Sequence, residues 1–191
     1  MKIKKEFIFA LQELRIDNIR KQKRGLHFIM ASVFIWIAVL MIHLSPLPII
    51  TKNLFTFCCS TPLILLAYLL SLILKIDFQN RGNPLSGLGL LISLNQLLYI
   101  LIAMWVYAAV PEKMLMVYAM IFGAHLLPYG WLYQSKCYYA FSIIIPFAVL
   151  LLGIYSSAIL ITIFMLITEM VFCILLIIEN RKAELYETDE K

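Results

Sequence analysis

The sequence predicts an all-α membrane protein: a bundle of six transmembrane helices behind an amphipathic helix, with both ends on the cytoplasmic side. Three observations predict it. Of 191 residues, 63% are apolar and only 14% charged, whereas a soluble domain carries about 45–50% apolar and about 25% charged residues. A water-soluble domain of this length keeps too large a surface to hide so many apolar side chains. The apolar residues also gather into six runs near the roughly 20 helical residues that span about 30 Å of hydrocarbon. Finally, Lys and Arg fall overwhelmingly on one side of those runs.

Residues 1–25 read as a cytoplasmic amphipathic, basic helix. Ile3, Phe7, Ala10, Leu11 and Leu14 recur at helical spacing, although Phe9 and Ile16 point elsewhere. Such a helix lies on the inner surface of the membrane. There Lys2, Lys4, Lys5, Arg20, Lys21, Lys23 and Arg24 meet anionic lipid head groups at about 1 kcal/mol each.

Residues 26–178 form the expected transmembrane domain, with runs at Leu26–Leu44, Leu54–Leu74, Leu88–Val110, Met114–Tyr133, Cys137–Leu152 and Ser157–Ile178. The first is not a cleaved signal peptide, because polar and basic residues 1–25 precede it and no small-residue cleavage site follows. Ser45-Pro46-Leu47-Pro48 turns the chain instead. Only Lys75–Gly87 is long enough to have its own shape, with a turn at Asn80-Arg81-Gly82-Asn83-Pro84. The fifth run is the shortest and contains Pro146. Gly153, Tyr155, Ser156 and Ser157 make a tight reversal that separates it from the sixth; without that reversal the count is five. Short loops force successive helices to be antiparallel neighbours. Pro62 and Pro146 fall at similar places in two three-span halves, thin support for an inverted repeat. Residues 179–191 alternate acid and base and read as a cytoplasmic tail that extends the last helix.

Six spans place Lys2, Lys4, Lys5, Arg15, Arg20, Lys21, Lys23, Arg24, Lys75, Arg81, Lys136, Arg181, Lys182 and Lys191 on one side. Lys52 and Lys113 fall on the other. Positive charge stays cytoplasmic, so both termini are expected inside a bacterial cytoplasmic membrane. The net charge of +5 is then a topology signal, and nucleic acid is not an expected partner.

Ten of the eleven acidic residues lie in loops, termini or helix ends; Glu169 is the exception, near the centre of the sixth run. A carboxylate there costs about 2.5–3.5 kcal/mol on insertion scales, so Glu169 is expected to face protein or a water-filled cavity. Thr162, Met165, Cys173 and Ala158 share its face. His125 sits near the middle of the fourth run, and at 100° per residue Tyr118, His125 and Tyr129 lie within about 40° of each other. Pro128 leaves the Ala124 carbonyl without a helical donor, which calls for a local donor or water beside His125. In the third run Gly89, Ser93, Gln96, Ala103 and Tyr107 share a face, with Asn95 about 100° away. Ser32, Trp36 and His43 share a face of the first.

The expected site is a midplane polar pocket of Glu169, His125, Tyr129, Tyr118, Gln96 and Asn95, with Glu169 binding a proton or cation. Against it stands a plainer reading, in which Asn, Gln and Ser hold helices together at about 0.6 kcal/mol each and His125 is a packing residue. Tyr129, Trp131, Tyr133, Tyr138 and Tyr139 suit an interfacial belt.

Neither a catalytic residue nor a metal or cofactor site is expected. The sequence has no His-Glu-x-x-His, Gly-x-Ser-x-Gly or phosphate-binding loop, and a single intramembrane carboxylate excludes an acid–base carboxylate pair. Cys58, Cys59, Cys137 and Cys173 lack metal spacing and read as reduced packing residues. Small-solute or proton-linked transport or binding is the first functional expectation. The second is a non-transporting scaffold or regulatory subunit, and an enzyme comes third. Beyond the lipid bilayer, the expected partners are a small-molecule ligand and a homo-oligomer or membrane partner.

Leu94-Asn95-Gln96-Leu97-Leu98-Tyr99, Val110-Pro111-Glu112-Lys113-Met114 and Gly123-Ala124-His125-Leu126-Leu127-Pro128-Tyr129 resemble segments of a bacterial family of small six-span membrane proteins whose function is unknown. The resemblance covers most of the chain and implies a bacterial cytoplasmic membrane, but no activity, substrate or site.

Overall fold

In lipid every backbone N–H and C=O needs a partner within the protein, which leaves long apolar runs no option but the helix. The computed structural model describes residues 2–189, with side chains from residue 4 to residue 183. The side chains of Lys2 and Ile3, and Lys191 altogether, lie outside the described residues. Helix α1 covers Lys2–Gln22. A 3-10 turn at Lys23–Gly25 follows, where φ is positive at Lys23 (44°), Arg24 (53°) and Gly25 (69°). The chain turns there into α2, Leu26–Leu44.

The second span is two helices, α3 (Ile49–Ser60) and α4 (Leu63–Ile73). It begins five residues earlier than the apolar run and breaks at Thr61-Pro62, because proline lacks an N–H and crowds the preceding turn. Helix α5, Pro84–Ala109, starts where its N-cap Asn83 accepts from the Leu85 N–H at 3.0 Å, with proline at the first helical position. The fourth span is again two helices, α6 (Met114–Ala124) and α7 (Leu127–Leu132), parted at His125-Leu126. Pro146, by contrast, lies inside one continuous helix α8, Lys136–Tyr155. Helix α9 runs through Ala158–Asp189, so the tail extends the last span. With α3–α4 and α6–α7 each counted as one span, six helices among the described residues are long and apolar enough to cross a membrane. Among the described residues there is no strand.

Helix α2 is the centre of the bundle, packed along α9 and against α3 and α4, while α6 packs on α8 and α5. The buried positions of α2 (Ile29, Ser32, Trp36, Val39, His43) and of α9 (Thr162, Met165, Glu169, Phe172, Leu176) both step by three and four residues. That is the spacing of knobs-into-holes packing. The two helices run antiparallel, bonded Arg24 to Asn180 at one end and Ser32 to Glu169 farther along. Close approach of α6 to α8 needs Gly123: a Cβ there would lie 2.5 Å from Ile145 Cγ2 and 2.8 Å from Pro146 Cδ.

The two ends of the bundle carry different polar groups. At one, α1, the 75–87 loop, the 134–136 loop and the end of α9 are bonded together. At the other, Asn53 Nδ2 donates to the Pro111 carbonyl (2.8 Å), Lys113 to that of Gly153 (2.6 Å) and Lys52 to that of His43 (3.0 Å).

Candidate functional site

Glu169 is fully buried, the twelfth residue of α9. Its Oε2 is in hydrogen-bond contact with Ser32 Oγ, and Ser32 Oγ also lies 2.7 Å from the Ile29 carbonyl. A hydroxyl has one proton, and a carbonyl can only accept it. That proton serves either Glu169 Oε2 or the Ile29 carbonyl, and only in the second case does the contact require a protonated Glu169. Glu169 Oε1 has no hydrogen-bond partner, and no Lys, Arg or His pairs with the carboxyl among the described residues. Around it are Met165, Phe172 and, on α8, Tyr138, whose ring meets Phe172 at 4.8 Å. Tyr138 donates its hydroxyl to the Arg24 carbonyl at 2.8 Å, so it does not serve the carboxyl.

The other expected pocket residues do not gather around Glu169. His125 closes the end of α6, its Nδ1–H donating to the Phe122 carbonyl, between the rings of Phe122 (5.4 Å) and Tyr129 (5.9 Å). The histidine thus serves the Phe122 carbonyl and not that of Ala124. Tyr129 reaches α5, donating to the Gly89 carbonyl (2.9 Å) and lying 2.6 Å from Ser93 Oγ. Tyr118 bonds Ser60 on α3. His125 and Tyr129 stay in ring contact across the break at His125-Leu126. Gln96 is half-buried, whereas Asn95 is exposed; neither amide has a partner among the described residues.

Sequence reasoning passed over His27. It is 1% exposed, with neither ring nitrogen hydrogen-bonded and Phe28 (4.5 Å) and Phe78 (5.5 Å) against its ring. It stands at the start of an apolar run, where no periodic face singles it out.

The end bearing α1 holds a second polar cluster. Asn80 Nδ2 donates to Asp17 (2.9 Å) and Asn18 (3.2 Å), Asn83 Nδ2 to Asp17 (2.8 Å) and the Leu14 carbonyl (2.7 Å), and Lys21 pairs with Asp17 at 2.8 Å. These donors, Asn80 first, then Lys21 and Asn83, hold the Asp17 carboxyl down at about 2. The turn residues were legible in the sequence; their partners on α1 were not. Of the basic residues expected at a lipid surface, Lys4, Lys5 and Arg20 are exposed and Lys23 is half-buried. Lys21 is engaged with Asp17, and Arg24 bonds Asn180 (2.7 Å) and lies 3.7 Å from Glu179, so its charge is used inside the protein. No group of His, Cys, Asp and Glu suited to a metal ion occurs among the described residues.

Residues 11–179 match the model of a family described as DUF7010, a family of unknown function. All three motif segments that carry the resemblance fall within this range. No curated protein and no solved structure matches the chain.

Proposed function

We propose, for a chain that belongs to this family of unknown function and is a multi-pass membrane protein, that Glu169 is a proton-binding site serving proton-linked transport or binding of a small solute. One observation carries the reading: a fully buried carboxyl has one hydroxyl as its hydrogen-bond partner, shared with the Ile29 carbonyl, and its other oxygen has none. An ionisable group so deep in a spanning helix is expensive to keep for packing alone. Ser32 is the positioning residue, since it fixes the carboxyl on the α2–α9 seam. His125, Tyr129, Tyr118, Gln96 and Asn95 lie elsewhere, so the proton site rests on Glu169 and Ser32.

The reading puts the protein in a bacterial cytoplasmic membrane with both termini inside. Residues 1–25 form its surface helix, 26–178 its spanning domain and 179–191 its tail. In favour of this orientation is the charge bias of fourteen basic residues against two.

Infrared difference titration of the purified protein tests the proton site. A protonated-carboxyl band should vanish in Glu169→Gln and shift in Ser32→Ala, while His125→Ala leaves it in place. A carboxylate signal at neutral pH, or Glu169→Gln vesicles that still move protons at the wild-type rate, would sink the reading.

A second reading has its own observation. Phe7, Ile8 and Phe9 on α1 are 55–70% exposed, a surface that a scaffold or regulatory subunit would offer to lipid or to a larger complex. Deleting residues 1–9 should then release the partner while the bundle stays folded.

A further inference from the structure

Helix α5 carries a packing seam with nothing on it. Of its 26 residues only Ala103 and Val106 are buried. The face bearing Gly89, Gln96 and Ala103 turns toward α6 and α7. About 80° to 180° around the helix from Gln96, Leu88, Leu91, Asn95, Leu98, Ile102 and Trp105 step by three, four, three, four and three residues. The buried seams of α2 and α9 have the same spacing, and those two helices fill each other. On α5 the apolar members are 36–68% exposed. Asn95, the twelfth residue of α5 and close to its midpoint, is exposed there too, its amide without a partner among the described residues.

Lipid can cover leucines, but it offers an amide neither a donor nor an acceptor. A side chain that is both donor and acceptor is best satisfied by its own image. Copies of one chain insert the same way up, because the same charge bias orients each. A two-fold axis along the membrane normal then brings α5 beside α5 in parallel, with Asn95 facing Asn95. One polar Asn among apolar seam positions is also the device that sets register and strand number in coiled coils.

We propose that α5 is a homodimerisation helix, pairing in parallel with α5 of a second copy along Leu88, Leu91, Asn95, Leu98, Ile102 and Trp105, the two Asn95 amides hydrogen-bonded across the axis. This interface stands apart from Glu169, and Glu169→Gln should leave it unchanged.

The test is a single-cysteine scan from Leu88 to Trp105 in membranes, in a chain whose Cys58, Cys59, Cys137 and Cys173 are replaced by alanine. Oxidation should yield disulfide dimers at Leu91, Asn95, Leu98 and Ile102. Leu90, Leu94, Leu97 and Leu101 should give few, although they are 49–61% exposed and collide as freely. In vesicles holding donor- and acceptor-labelled chains, Asn95→Leu should weaken dimerisation by about 3- to 30-fold, and Asn95→Gln should restore most of it. Equal cross-linking on and off the seam, no cross-link at any position, or energy transfer that never exceeds random mixing would overturn the proposal and leave this face to lipid or another protein.

Discussion

Glu169 and Ser32 make opposite predictions under substitution, because each owns a different share of one hydrogen bond. In Glu169→Gln the amide keeps a hydrogen bond to Ser32 Oγ, whether it donates or accepts, so stability should change by no more than about 1 kcal/mol. Ser32→Ala removes the hydroxyl and leaves a fully buried carboxyl with neither oxygen bonded, which should cost about 1–3 kcal/mol. Unfolding of the detergent-solubilised protein compares the two; a larger loss in Glu169→Gln than in Ser32→Ala would mean that the carboxyl is ionised and paired. His27 offers the converse test. Its ring nitrogens have no hydrogen-bond partner, so His27→Leu forfeits no bond and removes a buried polar group, and it should be neutral or stabilising. A loss above about 2 kcal/mol would point to a water or ligand held by the ring.

At the scale of elements, two contacts carry testable consequences. Gly123 sets the distance between α6 and α8, and a Cβ would press on Ile145 and on the rigid ring of Pro146. Gly123→Ala should cost about 1–3 kcal/mol by overpacking, read in the same unfolding assay. The docking of α1 on the 75–87 loop should respond to acid. Asp17 has its carboxyl lowered from 3.8 to about 2 in the folded protein. Its contribution is therefore complete above about 4 and is lost as pH falls through about 2. With the side chain 37% exposed, the effect is modest. The distance between spin labels at Glu13 and Arg81 should lengthen below pH about 3 and stay constant from pH 5 to 8; in Asp17→Asn the step should disappear. These elements also show what a sequence reveals. The spans were legible because length and hydropathy alone report them, and the α5 face with Gly89, Gln96 and Ala103 was legible because that helix is unbroken. The separate partners of Tyr118 on α3 and of Tyr129 on α5 were not, because periodicity cannot say which neighbouring helix a side chain meets. Pro62 and Pro146 look alike in sequence, yet only the first divides its span.

Across the whole molecule, the hydrogen bond at the candidate site joins residues 137 apart in sequence, a partnership that no local pattern encodes. The faces holding Ser32 and Glu169 could be read from spacing, but that α2 and α9 meet depends on how six helices share one bundle. Which segments share an end of the bundle is different, since the six-span count predicts it and the geometry bears on it independently. Asn80 and Asn83 reach Asp17, Tyr133 reaches Gln22 at 2.9 Å, and Ser135 reaches Glu179 at 2.6 Å. The segment before the first span, both even-numbered loops and the last helix therefore meet at one end. Five spans would set the two termini on opposite faces; six put them together, as Arg24 to Asn180 requires. In the orientation proposed above, the basic residues at that end face the cytoplasm. Single cysteines at Arg81 and Lys136 should therefore resist a membrane-impermeant maleimide in intact cells and react in inverted vesicles. Cysteines at Lys52 and Lys113 should react only from outside. Labelling of Arg81→Cys and Lys52→Cys from the same face would break the six-span topology, and full reversal of the pattern would keep the topology but invert the protein.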